Sequence, residues 1–245
     1  LTVRLDGTKI FSADPEADRY IFEAPMPAVQ SSQKSKYEIF ADGALIERGT
    51  VERGPKKITP AGYVDTKMGT AHSRWMIAPG PWMPFSMVKM SPDNQNAGWQ
   101  AGYQPTFETI GAFSHIHEWT MGGLGMLPTN GPLIIDEGDE AEPDKGYRSR
   151  IDKSTERAPL GYYAVKLSDY DIFAEVTATT RCGFQRYTFP NDKDNARVLI
   201  DLQIPTEYRY NIESCKIKKV DDHRIEGFSK QHSPDTWAGG VSQEY

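Results

Sequence analysis

The sequence predicts an all-β chain: an antiparallel β-sandwich preceded by a small β module. Three observations lead there. Short segments alternate apolar and polar residues, as in YDIFAEVTATTRCGFQRYTFP at 170–190, and alternation sends every second side chain to one face of a sheet. No segment sustains a helical period between caps. Glycine and proline punctuate the apolar runs at turn spacing, the pattern of many short strands packed as a sandwich.

Taken in order, residues 1–58 read as a small all-β unit. LTVRLDG, YIFEAP, KYEIFADG and ALIERGTVERG supply its strands, and the Asp-Gly pairs at 6–7 and 42–43 mark tight turns. KKITPAGY at 56–63, with its proline and glycine, is the predicted boundary, and residues 61–245 form the sandwich. Its strand patterns are SMVKMS, TIGAFSHIHEW, GLGMLPT, PLIID, GYYAVKLS, ARVLIDLQI, YNIESCKIKKV and RIEGFSK, with AEVTATTRCGFQRYTF as a half-buried strand or hairpin. The charged run 136–153, DEGDEAEPDKGYRSRIDK, reads as a solvated loop. The ending DTWAGGVSQEY looks like a strand just starting, so the second domain is expected to be truncated at its C-terminal end.

Composition excludes several classes. A 245-residue chain with 38% hydrophobic and 25% charged residues buries a core like an ordinary globular protein. A net charge of -6 with interspersed signs leaves no basic stripe for nucleic acid. No run approaches the roughly 20 apolar residues of a membrane span. Cys182 and Cys215 sit in strand-like contexts and read as buried apolar groups, with a bridge between them left open.

Residues 61–132 hold four of the five tryptophans and three of the five histidines. Rings on glycine-flanked loops beside His, Arg and Glu suit a ligand with alternating apolar and hydroxylated faces, a sugar above all. His72, Ser73, Arg74 and Trp75 lie on a loop opened by Gly69 and closed by Pro79-Gly80, and Arg74 offers fixed donors to hydroxyl or carboxylate groups. Trp99 and Tyr103 sit among glycines, where backbone can approach a ligand. His115 and His117 share one face of a predicted strand. The pair lacks a third ligand at metal-site spacing, and a core histidine satisfied by backbone is the competing reading for one of them. Glu118 beside Trp119 resembles a sugar subsite, with an indole over the ring and a carboxylate accepting from hydroxyls. Asp65, Asp93 and Glu118 are candidate carboxylates for glycoside hydrolysis, while nucleophile elbows, phosphate loops and HExxH motifs are absent.

Several short motifs occur in a specific order. They are Met68-Gly69-Thr70, Pro79-Gly80-Pro81, Pro84-Phe85-Ser86-Met87-Val88 with Ser91-Pro92-Asp93, Gly98-Trp99 with Gly102-Tyr103, Ala112-Phe113-Ser114-His115-Ile116-His117, and Leu127-Pro128-Thr129-Asn130-Gly131. Tyr147-Arg148-Ser149, Ala158-Pro159-Leu160-Gly161-Tyr162-Tyr163, Glu175-Val176-Thr177-Ala178-Thr179 and Arg186-Tyr187-Thr188-Phe189-Pro190 continue the series. Together they resemble the N-terminal region of glycoside hydrolase family 92, exo-acting α-mannosidases. The family's usual glycine-rich stretch is Ala71-His72-Ser73-Arg74-Trp75 here, and its usual HLSGTG is His117-Glu118-Trp119-Thr120-Met121-Gly122, as in a divergent branch. Residues 1–58 resemble small β modules attached to carbohydrate-active enzymes.

The resemblance implies a galactose-mutarotase-like supersandwich joined to a C-terminal (α/α)6 barrel of the same protein, with the active site between them. It implies Ca2+-assisted inverting hydrolysis of α-mannoside glycans, as in N-glycan degradation, and a periplasmic or secreted location. Inversion needs an acid and a base about 6.5–9.5 Å apart. In the family these carboxylates and the calcium ligands belong mostly to the barrel, so this chain is expected to supply neither. Its expected contribution is substrate binding through His72, Ser73, Arg74, Trp99, His117, Glu118 and Trp119. A stand-alone carbohydrate-binding module is the alternative, and a module whose aromatics pack against a partner domain is a third reading.

Overall fold

The computed structural model of the protein describes residues 1–15, 22–55, 59–70, 77–95, 102–117, 123–191, 194–203, 210–233, 235 and 239–244. The chain divides into two compact units, Leu1–Tyr63 and Val64–Tyr245.

The first unit is one antiparallel sheet. It is built from β1 (Thr2–Leu5), β2 (Thr8–Ser12), β3 (Gln33–Ala41) and β4 (Ala44–Arg53), in the order β2-β1-β3-β4. Asp6-Gly7 and Asp42-Gly43 close its two hairpins with positive φ at both positions, the geometry whose twist matches that of paired strands. Among its described residues Val3, Leu5 and Ser35 are buried. Tyr37 lies across from Gly49, where an added Cβ would meet the Tyr37 ring at 2.7 Å. That ring fills the space a side chain would occupy, and its hydroxyl donates to Glu47 at 2.7 Å. The segment YIFEAP, expected as a strand, carries none over its described residues 22–25.

The second unit contains β5 (Ser91–Asp93), β6 (Thr109–Ile110), β7 (Ala112–Ser114), β8 (Gly125–Thr129), β9 (Ser149–Arg157), β10 (Tyr163–Leu167), β11 (Ile172–Ala178) and β12 (Gly183–Thr188). It continues through β13 (Arg197–Asp201), β14 (Asn211–Lys219), β15 (Ile225–His232) and β16 (Ser242–Glu244). Three sheets result, ordered β12-β11-β10-β9-β6, β13-β8-β7-β5 and β14-β15-β16. All paired strands are antiparallel.

The core draws on the first two sheets together. Ile110, Ile151, Tyr163, Val165, Leu167, Ile172, Ala174 and Val176 come from one, and Phe113 and Leu127 from the other. Alternation explains β11, whose Ile172, Ala174 and Val176 are buried while Thr177 is exposed. On β10, Tyr163, Ala164 and Val165 are all fully buried, so both faces of this strand are covered. Long alternation at 170–190 resolves into the β11–β12 hairpin, turning at 179–182.

Further expectations need correction, beginning with SMVKMS at 86–91, which carries no strand before Ser91. PLIID at 132–136 is not a strand: Arg197 donates to the carbonyls of Gly131 and Pro132, Pro132 has no N–H for a ladder, and Leu133 and Ile135 are exposed. TIGAFSHIHEW breaks into β6 and β7 and stops at Ser114, so His115 and His117 do not share a strand face. Cys182 and Cys215 are both exposed free thiols rather than buried apolar groups, one at a hairpin turn and one on β14, whose every residue is exposed. The charged run 136–153 is not a solvated loop throughout, because Tyr147, Arg148 and Ser149 lie in the interior.

Candidate functional site

Asp93 ends β5 and is fully buried. Its Oδ1 lies 3.1 Å from His117 Nε2, which is also 2.7 Å from Ser114 Oγ at the end of β7. The imidazole is fully buried. Trp82 lies beside it, ring centroids 5.9 Å apart, and the indole N–H donates to the Met90 carbonyl at 3.0 Å. Lys89 Nζ sits 5.6 Å from the Trp82 ring centroid, a cation–π distance. This arrangement needs glycine at 80, because a Cβ there would stand 1.6 Å from the Met90 carbonyl oxygen.

His115 does different work. Its Nδ1 donates to Leu124 O at 2.7 Å, and Nε2 is left to accept from the Gln185 amide at 3.1 Å. Burial depresses its pKa, which keeps the ring neutral near pH 7. It is a backbone-satisfied core histidine, the competing reading of the HxH pair.

One residue past Asp93, Asn94 joins the two sheets. Its side-chain amide donates to Thr109 O at 2.6 Å, and its side-chain oxygen accepts the Gln104 N–H at 2.7 Å. Arg148 completes the junction from just before β9, donating to Asn94 O and Thr109 Oγ1, each at 2.9 Å. Its other terminal nitrogen faces Glu137 at 3.3 Å. Burial pushes the Glu137 carboxyl up to about 7; Arg148 opposes the rise, and Asp201 and Asp93 add to it. Tyr147 donates to Asp201 at 3.0 Å, extending this polar seam.

Glu137 therefore carries a pH signature. Its folded pKa lies above the ordinary 4.5, so between those values the folded chain binds more protons than the unfolded one. Stability contributed by this group is present at low pH and is lost as pH rises toward 7. Thermal melts of Glu137→Gln are expected to decline less between pH 5 and 8 than those of the parent, with equal slopes contradicting the assignment.

A second buried polar cluster surrounds Glu156 on β9. Tyr103 and Tyr163 donate to its Oε1 at 2.9 and 2.8 Å, and Lys67 pairs with Oε2 at 2.6 Å. Burial alone would raise Glu156, but Lys153, Lys67 and the Tyr163 hydroxyl hold it below the usual carboxylate value. Lys67 lies just before Met68-Gly69-Thr70, so this cluster ties that motif to β9.

Of the residues predicted to bind substrate, His72, Ser73, Arg74, Trp99, Glu118 and Trp119 lie outside the described residues. His117 is described and enclosed. Of the candidate carboxylates, Asp65 is exposed and caps its own turn by accepting the Lys67 N–H at 2.9 Å, and Asp93 is sealed inside. Among the described residues no group of three or more His, Cys, Asp or Glu side chains is placed to hold a metal, and no helix is long and apolar enough to cross a membrane. Sequence reasoning missed the Arg148–Asn94–Thr109 seam and the Glu156 cluster.

Comparison with known proteins adds identity to this geometry. Residues 63–245 match the model of the glycosyl hydrolase family 92 N-terminal domain. No curated protein matches the chain. A family GH92 α-mannosidase from Bacteroides thetaiotaomicron, BT3965, solved with mannoimidazole, is 31% identical with a TM-score of 0.64, over 70% of this chain and 23% of its own. The family GH92 hydrolase ccman5 is 21% identical (TM-score 0.55, 75% of this chain, 25% of its own). The inverting mannosidase BT2199 of B. thetaiotaomicron is 20% identical (TM-score 0.53, 74% and 23%), and these two share the fold. The chain thus spans about a quarter of the length of these enzymes. With three quarters of its residues inside the family's N-terminal domain, the chain belongs to glycosyl hydrolase family 92.

Proposed function

We propose that this chain is the substrate-recognition part of a calcium-dependent, inverting exo-α-mannosidase acting on α-mannoside glycans in the periplasm or outside the cell. The observation that carries the reading is 31% identity, over 70% of the chain, to an α-mannosidase that binds mannoimidazole.

In this reading Trp99 and Trp119 cover the apolar face of a mannose ring, and His72, Ser73, Arg74 and Glu118 take its hydroxyls. His117 acts from beneath, since its ring is enclosed against Asp93 and Ser114. The acid, the base and the Ca2+ ligands belong to a barrel domain outside these residues. When bound there, Ca2+ supplies positive charge that helps orient sugar hydroxyls, and no step assigned to this chain passes through it. What this chain contributes is orientation: a ring held in one pose beneath fixed donors.

The test is hydrolysis of an aryl α-mannoside. The 245-residue chain is expected to show no turnover above background, with or without added Ca2+. Turnover at rates of a complete family 92 enzyme would overturn the division of labour.

A further inference from the structure

Phe85 carries two costs at once. Its ring is fully exposed, and its φ of 58° lies in the left-handed region. The Ser86 N–H donates to Met83 O at 3.1 Å and closes a four-residue turn. Phe85 stands third in that turn, after Pro84, where a type II turn ordinarily carries glycine. A side chain held there is strained, and strain retained at one position points to use. Met83 and Met87 are exposed on either side. The turn therefore holds a phenyl knob out in water, flanked by two adaptable apolar side chains.

The same unit carries a hole of matching size. A cavity of about 190 Å³ is lined by Leu124, Ile200, Leu202, Ile217, Ile225 and Phe228, between β13 and the β14–β15 hairpin. Ile217 and Ile225 are 46% and 54% exposed, so the cavity opens to solvent past them. Gly227, paired with Ile217, has no side chain to fill it. Apolar cavities of about 150 Å³ take up benzene, so a phenyl ring suits this one in volume and chemistry. Within one copy the ring is fully exposed, so it does not occupy its own cavity.

Charge around the two features is complementary. The Met87 N–H donates to Thr180 O at 2.8 Å, which brings the turn of the exposed Arg181 alongside the knob. Glu226 is the charged residue that lines the cavity. Its pairing with Arg224 is exposed and weak enough to exchange.

We propose that the second unit recognises a second copy of this chain, with Phe85 of one copy entering the apolar cavity beside the β14–β15 hairpin of the other. Each copy offers one knob and one hole, so copies exchange both or add head to tail. Burying the ring in a partner is the return for holding it in a strained turn.

Sedimentation equilibrium of the 245-residue chain reads this association. With one aromatic anchor, the parent is expected to self-associate with a Kd on the order of 0.1–1 mM. Phe85→Gly removes the knob and the strain together: Kd should rise at least tenfold, while the urea midpoint stays level or rises. Ile225→Arg sets a cation at the mouth of the hole and should weaken self-association by the same factor. Ile217→Arg, at the same mouth, repeats that measurement if Ile225→Arg does not fold. Mixed in equal amounts, the knobless and holeless variants bring an intact hole to an intact knob. Their affinity for each other should return to within fourfold of the parent. Association that survives both substitutions, or a mixture that stays monomeric, overturns the pairing. So does a lowered urea midpoint in Phe85→Gly, which would place the ring in packing within one copy. A monomeric parent overturns it too, and Phe85 ring signals that then shift with methyl α-mannoside would assign the ring to sugar.

Discussion

Replacing Arg148 by alanine is expected to lower the unfolding free energy by about 3–5 kcal/mol, the usual cost of removing one partner from a buried charge pair. Arg148 is 1% exposed. Its loss leaves the Asn94 carbonyl without its guanidinium donor, takes one bond from Thr109 Oγ1, and strips Glu137 of its countercharge at 3.3 Å. Thr109 lies on β6 of one principal sheet and Asn94 directly follows β5 of the other, so the damage falls on the seam between them. Urea unfolding is the measurement, with the midpoint shifting and the slope unchanged. A loss below about 1 kcal/mol, the range of an exposed pair, would show that the seam is held by something else.

Gly80→Ala is expected to destabilise by about 3 kcal/mol, the upper end for overpacked interiors. Its Cβ would lie 1.6 Å from Met90 O and 2.7 Å from Met90 C, and backbone cannot yield as a side-chain tip would. Met90 O is also the acceptor for the Trp82 indole, so relief of the clash moves Trp82 away from His117. Near-ultraviolet circular dichroism should lose tryptophan signal together with the shift in stability. A variant with parental stability and spectrum would contradict the close approach.

Much of the fold was legible because it follows from side-chain period. Ile172, Ala174 and Val176 alternate and are buried; Asp6-Gly7 and Asp42-Gly43 turn where such pairs turn. What escaped was any feature set by distant partners. Leu133 and Ile135 read as a buried strand, yet Pro132 and the Arg197 bonds to the neighbouring carbonyls keep that segment out of the sheets. Arg148 read as solvated because acids and lysines crowd the run around it; its partners Asn94 and Thr109 lie 54 and 39 residues away. Only its place in the ordered motif Tyr147-Arg148-Ser149 hinted at more. At the site, His115 and His117 look equivalent in sequence. The strand's end at Ser114 separates them, sending one ring to Leu124 O and the other to Asp93.

The account stands on saccharide meeting the indoles of the loop segments, and a titration of the 15N-labelled chain with methyl α-mannoside observes this directly. Five tryptophans give five indole N–H signals. Those of Trp99 and Trp119 should move with an affinity on the order of millimolar, while that of Trp82, whose N–H is committed to Met90 O, stays in place. Saturating sugar that leaves Trp99 and Trp119 unmoved would contradict the account.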